Sequence, residues 1–308
     1  MEIFDAHCDV LMKLFSNPQI DFKHSEDLQV TNSGLKAANI RVQVFAIYIA
    51  ENVHPSIRFD AALAMVDIFY DQIIDRGKLK FIRQQEDIYR LKEGETGAVL
   101  MLEGCDCIGS DLLKLKTLLR LGVTIVGLTW NWANLVADGA LENRGAGLTV
   151  FGKRVVELLN TSNICCDVSH LSERAFWDCM EIHEKPIATH SNCFALVSHP
   201  RNLSDEQILA LIQKNSVIGL TFVPEFLNGT NQASLKDVLR HLDYVCSLGG
   251  VHHVGFGSDF DGSPSAVHSL ERVEKYTNLV NELLKYYREE DVNRFLFINF
   301  ASRYGCLR

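Results

Sequence analysis

An α/β fold, a (β/α)8 TIM barrel, is what the sequence predicts, on three observations. Eight short β-rich runs alternate with segments of helical period along the whole 308-residue chain. In several of these runs a histidine or a carboxylate falls at the carboxyl end, and nothing comparable falls at the amino ends. No G-x-G-x-x-G follows the first run, so the usual signal of an open dinucleotide-binding sheet is missing.

The runs, in order, are "EIFDAHC", "IRVQVFAIYI", "GAVLMLEG", "VTIVGLTW", "NICCDVSH", "PIATHS", "SVIGLTF" and "HHVGFGSDF". Amphipathic stretches lie between them. Residues 57–76 read as a helix closed by Gly77 at the position after its C-cap. Ser172 with Glu173 opens a helix just after "DVSH", and Ser204-Asp205-Glu206-Gln207 is a capping box for a helix over 205–214. The Asn- and Gly-rich stretch "NWANLVADGALENRGAGLTVFGK" follows the fourth strand and is expected to lie over the barrel mouth. With no linker, low-complexity tract or solenoid-period repeat to divide the chain, residues 1–308 are expected to form one barrel domain.

Composition narrows the function. With 47% hydrophobic and 22% charged residues the chain is ordinary globular material, and its net charge of -9 argues against a nucleic-acid or anionic-membrane surface. A small neutral or zwitterionic partner fits better. The start alternates like a strand and lacks a basic region followed by an apolar one. No stretch approaches the roughly 18 to 20 apolar residues of a membrane span, so a cytoplasmic protein is expected. Nine cysteines, including the adjacent Cys165 and Cys166, read as buried thiols of a reducing compartment. Cys105 and Cys107 form no CxxC and have no partner motif for a zinc–thiolate site.

The polar residues at the strand ends carry the chemistry. In an extended chain His7 and Asp9, two apart, point to one face, here the barrel interior or its mouth. Glu103 follows four apolar residues, where a carboxylate is costly unless paired or on a metal. His170, His190 and Asp259 end the fifth, sixth and eighth runs. Imidazoles and carboxylates without thiolate suit two divalent cations, Zn²⁺ first, with Mn²⁺ or Co²⁺ as substitutes. Glu103 is the natural bridge between ions roughly 3.5 to 4 Å apart, with His7 and Asp9 completing one and His170 and His190 the other.

The ordered set "DAHCD", "LEG", "DVSH", "ATHS", "SHPRN" and "GSDFDG", spanning nearly the full chain, resembles the membrane dipeptidase family of zinc peptidases, a branch of the amidohydrolase-type barrels. The resemblance implies two Zn²⁺ per chain, ligated by His7, Asp9, His170 and His190 and bridged by Glu103. It implies that Asp259 faces a zinc-bridging hydroxide that hydrolyses the peptide bond of L,L- and L,D-dipeptides. It also implies that Arg201 takes the substrate carboxylate and that the protein forms a homodimer. One departure matters: where mammalian-type relatives read Leu-Thr-His, this chain reads Leu128-Thr129-Trp130, so the histidine expected to contact substrate is replaced. Trp130 is then either an apolar wall for the substrate side chain or, like Trp132, packing under the long loop. The last segment, "FINFASRY", also departs from the family and reads as different packing at the last helix.

Bland readings stand beside the sharp ones. Arg201 could pair with Asp205 on the surface. Asp261, Asp167, His199, His252, His253 and Cys8 read as loop, outer-shell or packing residues. Two alternatives to the dipeptidase stay open: another amide or lactone hydrolase on the same metal pair, and a non-catalytic descendant that uses the mouth for binding. A single-metal deaminase-like barrel is disfavoured because the first strand carries His-x-Asp where such sites use His-x-His.

Overall fold

The structure is a computed structural model that describes residues 1–304; Cys306 and the end of the expected 1–308 domain lie outside the described residues. The described residues form ten strands: β1 (Ile3–Asp5), β2 (Ile40–Tyr48), β3 (Lys80–Phe81), β4 (Gly97–Glu103), β5 (Val123–Gly127), β6 (Cys165–Asp167), β7 (Ile218–Leu220), β8 (Ala233–Ser234), β9 (Val254–Phe256) and β10 (Val267–His268). Seven of them run parallel along one path, β6–β5–β4–β2–β1–β9–β7.

The gap between β6 and β7 is closed by the sixth predicted run. Asp167 bridges Ile187, and Ala188 bridges Ile218, both in parallel. Ile187 N donates to Cys166 O (2.9 Å) and Gly219 N donates to Ala188 O (2.7 Å). This run is a pair of bridges and not a strand for a physical reason. Pro186 has no N–H to give, and after Ile187 and Ala188 the amides turn to side chains: Thr189 N donates to Asp167 Oδ1 (2.8 Å) and His190 N to Ser169 Oγ (3.1 Å). Closure at this seam completes the eight-membered ring. β3 adds to the start of β4, at Gly97 and Ala98, while β8 and β10 pair with each other outside the barrel.

Strand alternation divides the apolar residues into two layers. Phe4, Val44, Val99, Met101, Ile125 and Ile187 fill the barrel, and Ile3, Phe45, Leu100, Val126 and Ile218 pack outward against the helices. The last segment closes the amino-terminal end: Phe300 stacks on Phe4 (centroids 5.3 Å apart) and the Tyr304 hydroxyl lies 2.6 Å from Thr124 Oγ1. The first and last strands of the ring share one register pair, Asp5 with Phe256. The Asp5 carboxylate reinforces it by accepting from Ser258 N (2.8 Å) and Ser258 Oγ (2.7 Å).

The helices at 173–182 and 205–213 begin as expected, with Ser172 accepting from Ala175 N and Ser204 and Gln207 forming a reciprocal capping box. Residues 57–76 differ. Arg58–Ile68 is α-helical, but Phe69–Arg76 widens to a π-helix, and Gly77 has a right-handed φ of -70°, not the left-handed turn expected of it. Space explains the glycine instead: a Cβ there would lie 2.4 Å from Ile73 O and 2.9 Å from Gln72 O.

Phe300→Ala would remove the ring that floors the barrel. A loss of about 3–5 kcal/mol is expected, read as a lower midpoint in urea unfolding followed by circular dichroism.

Candidate metal centre

β4 is buried along its whole length and ends in Glu103, which the strand delivers into the top of the barrel. β1 ends at Asp5, but pairing continues to Cys8, which bridges Phe260 and accepts from Ala46 N. Strict alternation from Phe4 and Ala6 would turn Cys8 inward; Cys8 instead packs in the outer layer, and His7 turns to Glu103 with Asp9 beside it. Asp9 is the N-cap of the helix Val10–Ser16, yet its side chain makes no capping bond and faces the site. His170 and Asp259 lie three residues beyond β6 and β9, in left-handed backbone with φ of 67° and 63°. Such conformations in residues other than glycine cost free energy and cluster at functional sites.

Around the buried Glu103 carboxylate, His170 Nε2 lies 3.0 Å and His190 Nε2 3.5 Å from Oε1, and His7 Nε2 lies 3.6 Å from Oε2. The two Nε2 atoms of His170 and His190 are 2.8 Å apart. His7 Nε2 is also 3.4 Å from Asp9 Oδ2. His7 thus joins two groups whose ligand atoms converge within 4.8 Å, one with Glu103 and His190, the other with Asp9 and Asp259. The second group keeps His7 with Asp9, and His170 Nε2 stands beside His190 Nε2 at Glu103.

Burial sets the electrostatics. It pushes Glu103 well above the ordinary carboxyl range, partly offset by His7. Burial also works against charge on His7, but Glu103, Asp9 and Asp259 raise that imidazole to about 10. His170 and His190 are driven well below the usual range, by burial first and then by the cations around them. Asp259 is pushed up to about 7 by burial, against His7, with Asp9 adding to the rise.

The donor set fits divalent cations. Both ring nitrogens of His7 and Asp9 Oδ1 are buried without a hydrogen-bond partner, which is costly unless something else satisfies them. Gly262 leaves room beside the carboxylates: a Cβ there would lie 2.2 Å from Asp9 Oδ2 and 2.4 Å from Asp259 Oδ1. Imidazole and carboxylate donors without thiolate suit Zn²⁺. Cys105 and Cys107 are buried elsewhere, their thiols pushed up by burial, Cys107 to about 12.

Two cavities meet at His170. One, of about 190 Å³, is the mouth, lined by Asp9, Tyr48, Glu103, Trp130 and Asp259 among others. The second, of about 340 Å³, contains Arg201, Ser191 and Phe194. Arg201 is only 3% exposed and donates through Nη2 to His190 O (3.1 Å), while Asp205 accepts from the Tyr244 hydroxyl, so the surface pairing of Arg201 with Asp205 does not occur. Trp130 reaches the mouth, its ring 5.3 Å from Tyr48 and 6.1 Å from His170; Trp132 is largely exposed.

Asp261 takes the amides of Gln29 and Val30 and the Lys13 ammonium, and His199 and His253 accept from or face backbone groups away from the cluster. Two neighbours of the cluster carry no expectation from sequence. Tyr48 ends β2 in register with Glu103, and a polar group at the carboxyl end of a run was the signal that could have found it. Asn131, whose Oδ1 lies 2.7 Å from His170 Nδ1, sits in the irregular loop, where no periodicity marks it.

Residues 1–302 match the family described as membrane dipeptidase, peptidase family M19. The chain belongs to that family. Over 99% of both chains it superposes on a metallopeptidase from Rhodobacter sphaeroides, described as liganded with a phosphinate mimic of the dipeptide L-Ala-D-Ala, with a TM-score of 0.92 and 26% identity. The structure described as dipeptidase AC, a metallopeptidase, gives the same TM-score, identity and coverage. Among curated relatives, the dipeptidase tcpJ of Claviceps purpurea is 32% identical over 213 residues, 68% of this chain and 50% of the relative. The dipeptidase aclJ of Aspergillus oryzae is 34% identical over 196 residues, 62% of this chain and 46% of the relative. The match thus spans about half the length of these two fungal relatives.

Gly262→Ala would drive a methyl group between Asp9 and Asp259. The folded variant is expected to retain less zinc than the parent after gel filtration, measured by atomic emission on the same samples.

Proposed function

We propose that the chain is a metal-dependent dipeptidase of one hydrolase domain. In it His7 and Asp9 hold one zinc ion, His170 and His190 a second, and Glu103 bridges them. The observation that carries this is the crowding of acceptors at Glu103: two imidazole Nε2 atoms 2.8 Å apart, both within 3.5 Å of one carboxylate oxygen, beside a His7 ring with neither nitrogen hydrogen-bonded. Cations there would take the Nε2 lone pairs and the Glu103 oxygens together.

When bound, the ions would supply a water activated near neutral pH and an electrophile for the scissile carbonyl. The protein's own residues do the rest. Asp259, on the rim of the mouth beside Asp9, takes a proton on its carboxylate and delivers it to the leaving amine. Arg201, buried with its Nε unpartnered, pairs with the free carboxylate of a short substrate, which selects dipeptides over longer chains. Trp130 and Tyr48 form an aromatic wall against the substrate side chain, in place of the histidine contact expected at position 130. The R. sphaeroides relative's bound mimic of L-Ala-D-Ala supports L,D- as well as L,L-dipeptides as substrates. Cytoplasmic work is supported by the burial of seven of the eight described cysteines, as thiols of a reducing compartment would be. No helix among the described residues is long and apolar enough to cross a membrane.

Zinc-loaded protein is expected to hydrolyse a panel of L,L- and L,D-dipeptides, to lose activity to a chelator and to regain it with Zn²⁺. Metal-loaded protein that turns over no dipeptide would overturn the assignment. Glu103→Gln should abolish turnover and lower bound metal below that of the parent. Inactivity with two metals still bound would remove the bridging role. Arg201→Met should raise KM at least tenfold with a smaller change in kcat, about the 1.5–3 kcal/mol of a lost charged hydrogen bond.

A further inference from the structure

Beneath His190, on the side away from the cluster, runs a buried chain of hydrogen bonds. Thr189 Oγ1 donates to Asp167 Oδ2 (2.7 Å) and lies 2.8 Å from His190 Nδ1. Asp167 Oδ1 accepts from Thr189 N (2.8 Å) and Ser169 N (3.1 Å). All three side chains are at most 1% exposed, so water does not compete. The segment has nowhere to shift, since a Cβ on Gly219 or Gly257 would lie 2.0 or 1.9 Å from Thr189 O.

We propose that Thr189 and Asp167 are positioning residues that hold His190 in its Nδ1–H tautomer, so that the Nε2 lone pair faces Glu103. A hydroxyl has one hydrogen, and an ionised carboxylate can only accept. With the Thr189 hydrogen committed to Asp167, Thr189 Oγ1 offers His190 only lone pairs, so Nδ1 must carry the proton. The opposite arrangement would leave Thr189 Oγ1 and Asp167 Oδ2 facing each other at 2.7 Å with no hydrogen between them, while Asp167 Oδ1 is already taken by two amides. His170 is oriented differently, by Asn131 from the irregular loop. One histidine is therefore set by the barrel framework and the other by the mouth. The consequence for metal presupposes the site proposed above, in which His190 is a ligand; loss of such an outer contact typically weakens metal binding 10- to 100-fold.

The test pairs two readouts. In metal-free parent protein, ¹⁵N NMR of the His190 ring is expected to show a protonated Nδ1 and a bare Nε2. Thr189→Val, nearly isosteric, should mix the tautomers and weaken Zn²⁺ binding by about 10- to 100-fold in chelator competition, and Thr189→Ser should restore both. A protonated Nε2 in the parent overturns the proposal without any variant. So does Thr189→Val with the parent's tautomer and zinc affinity. If the parent binds no Zn²⁺, the metal assignment fails and the ring spectrum alone still decides the tautomer.

Discussion

A carboxylate at the centre of a closed barrel is the constraint on which the rest of this structure turns. Removing Glu103 from water costs several kcal/mol, which only opposite charge and good hydrogen-bond geometry can offset. The barrel supplies His7 from the first strand of the ring and His170 and His190 from beyond the fifth and sixth, with Arg201 behind them. The group is nonetheless incomplete as protein alone, since both His7 ring nitrogens and Asp9 Oδ1 are buried without a hydrogen-bond partner. The site is built to be finished by something positively charged.

Local departures from regular structure serve that centre. β6 and β9 stop early, so that His170 and Asp259 can turn inward through left-handed backbone. The sixth run ends its ladder after Ala188 because the Thr189 and His190 amides serve Asp167 and Ser169 instead. Regular hydrogen bonding is traded for side-chain direction wherever a residue must reach the mouth. The strain this stores is held by packing on both faces of a fully buried sheet.

Much of this was legible in the sequence. Eight β-rich runs with ionisable residues at one end specify a parallel ring and the face that carries the site, and both are present. The convergence of His7, Asp9, Glu103, His170, His190 and Asp259 follows from that placement. What sequence could not carry was direction once the chain left the ladder. Two-residue alternation fails between Ala6 and Cys8, and nothing local announces left-handed turns at His170 and Asp259. The support around the ligands was equally silent: Asn131 lies in a loop without periodicity, and Thr189 looks like any threonine in a β-rich run until its neighbour across the ring is known.

The seam between the first and last strands has a consequence in time. Asp5 and Ser258, 253 residues apart, hold His7 and Asp259 side by side, so the cluster cannot assemble until the final turn of the ring has left the ribosome. Contacts of such long separation are slow to form, because the closure entropy comes due before any packing rewards it. Competence at this centre therefore arrives last during synthesis, and a chain cut short before strand β9 would carry five of the six groups yet never bring its two ends together.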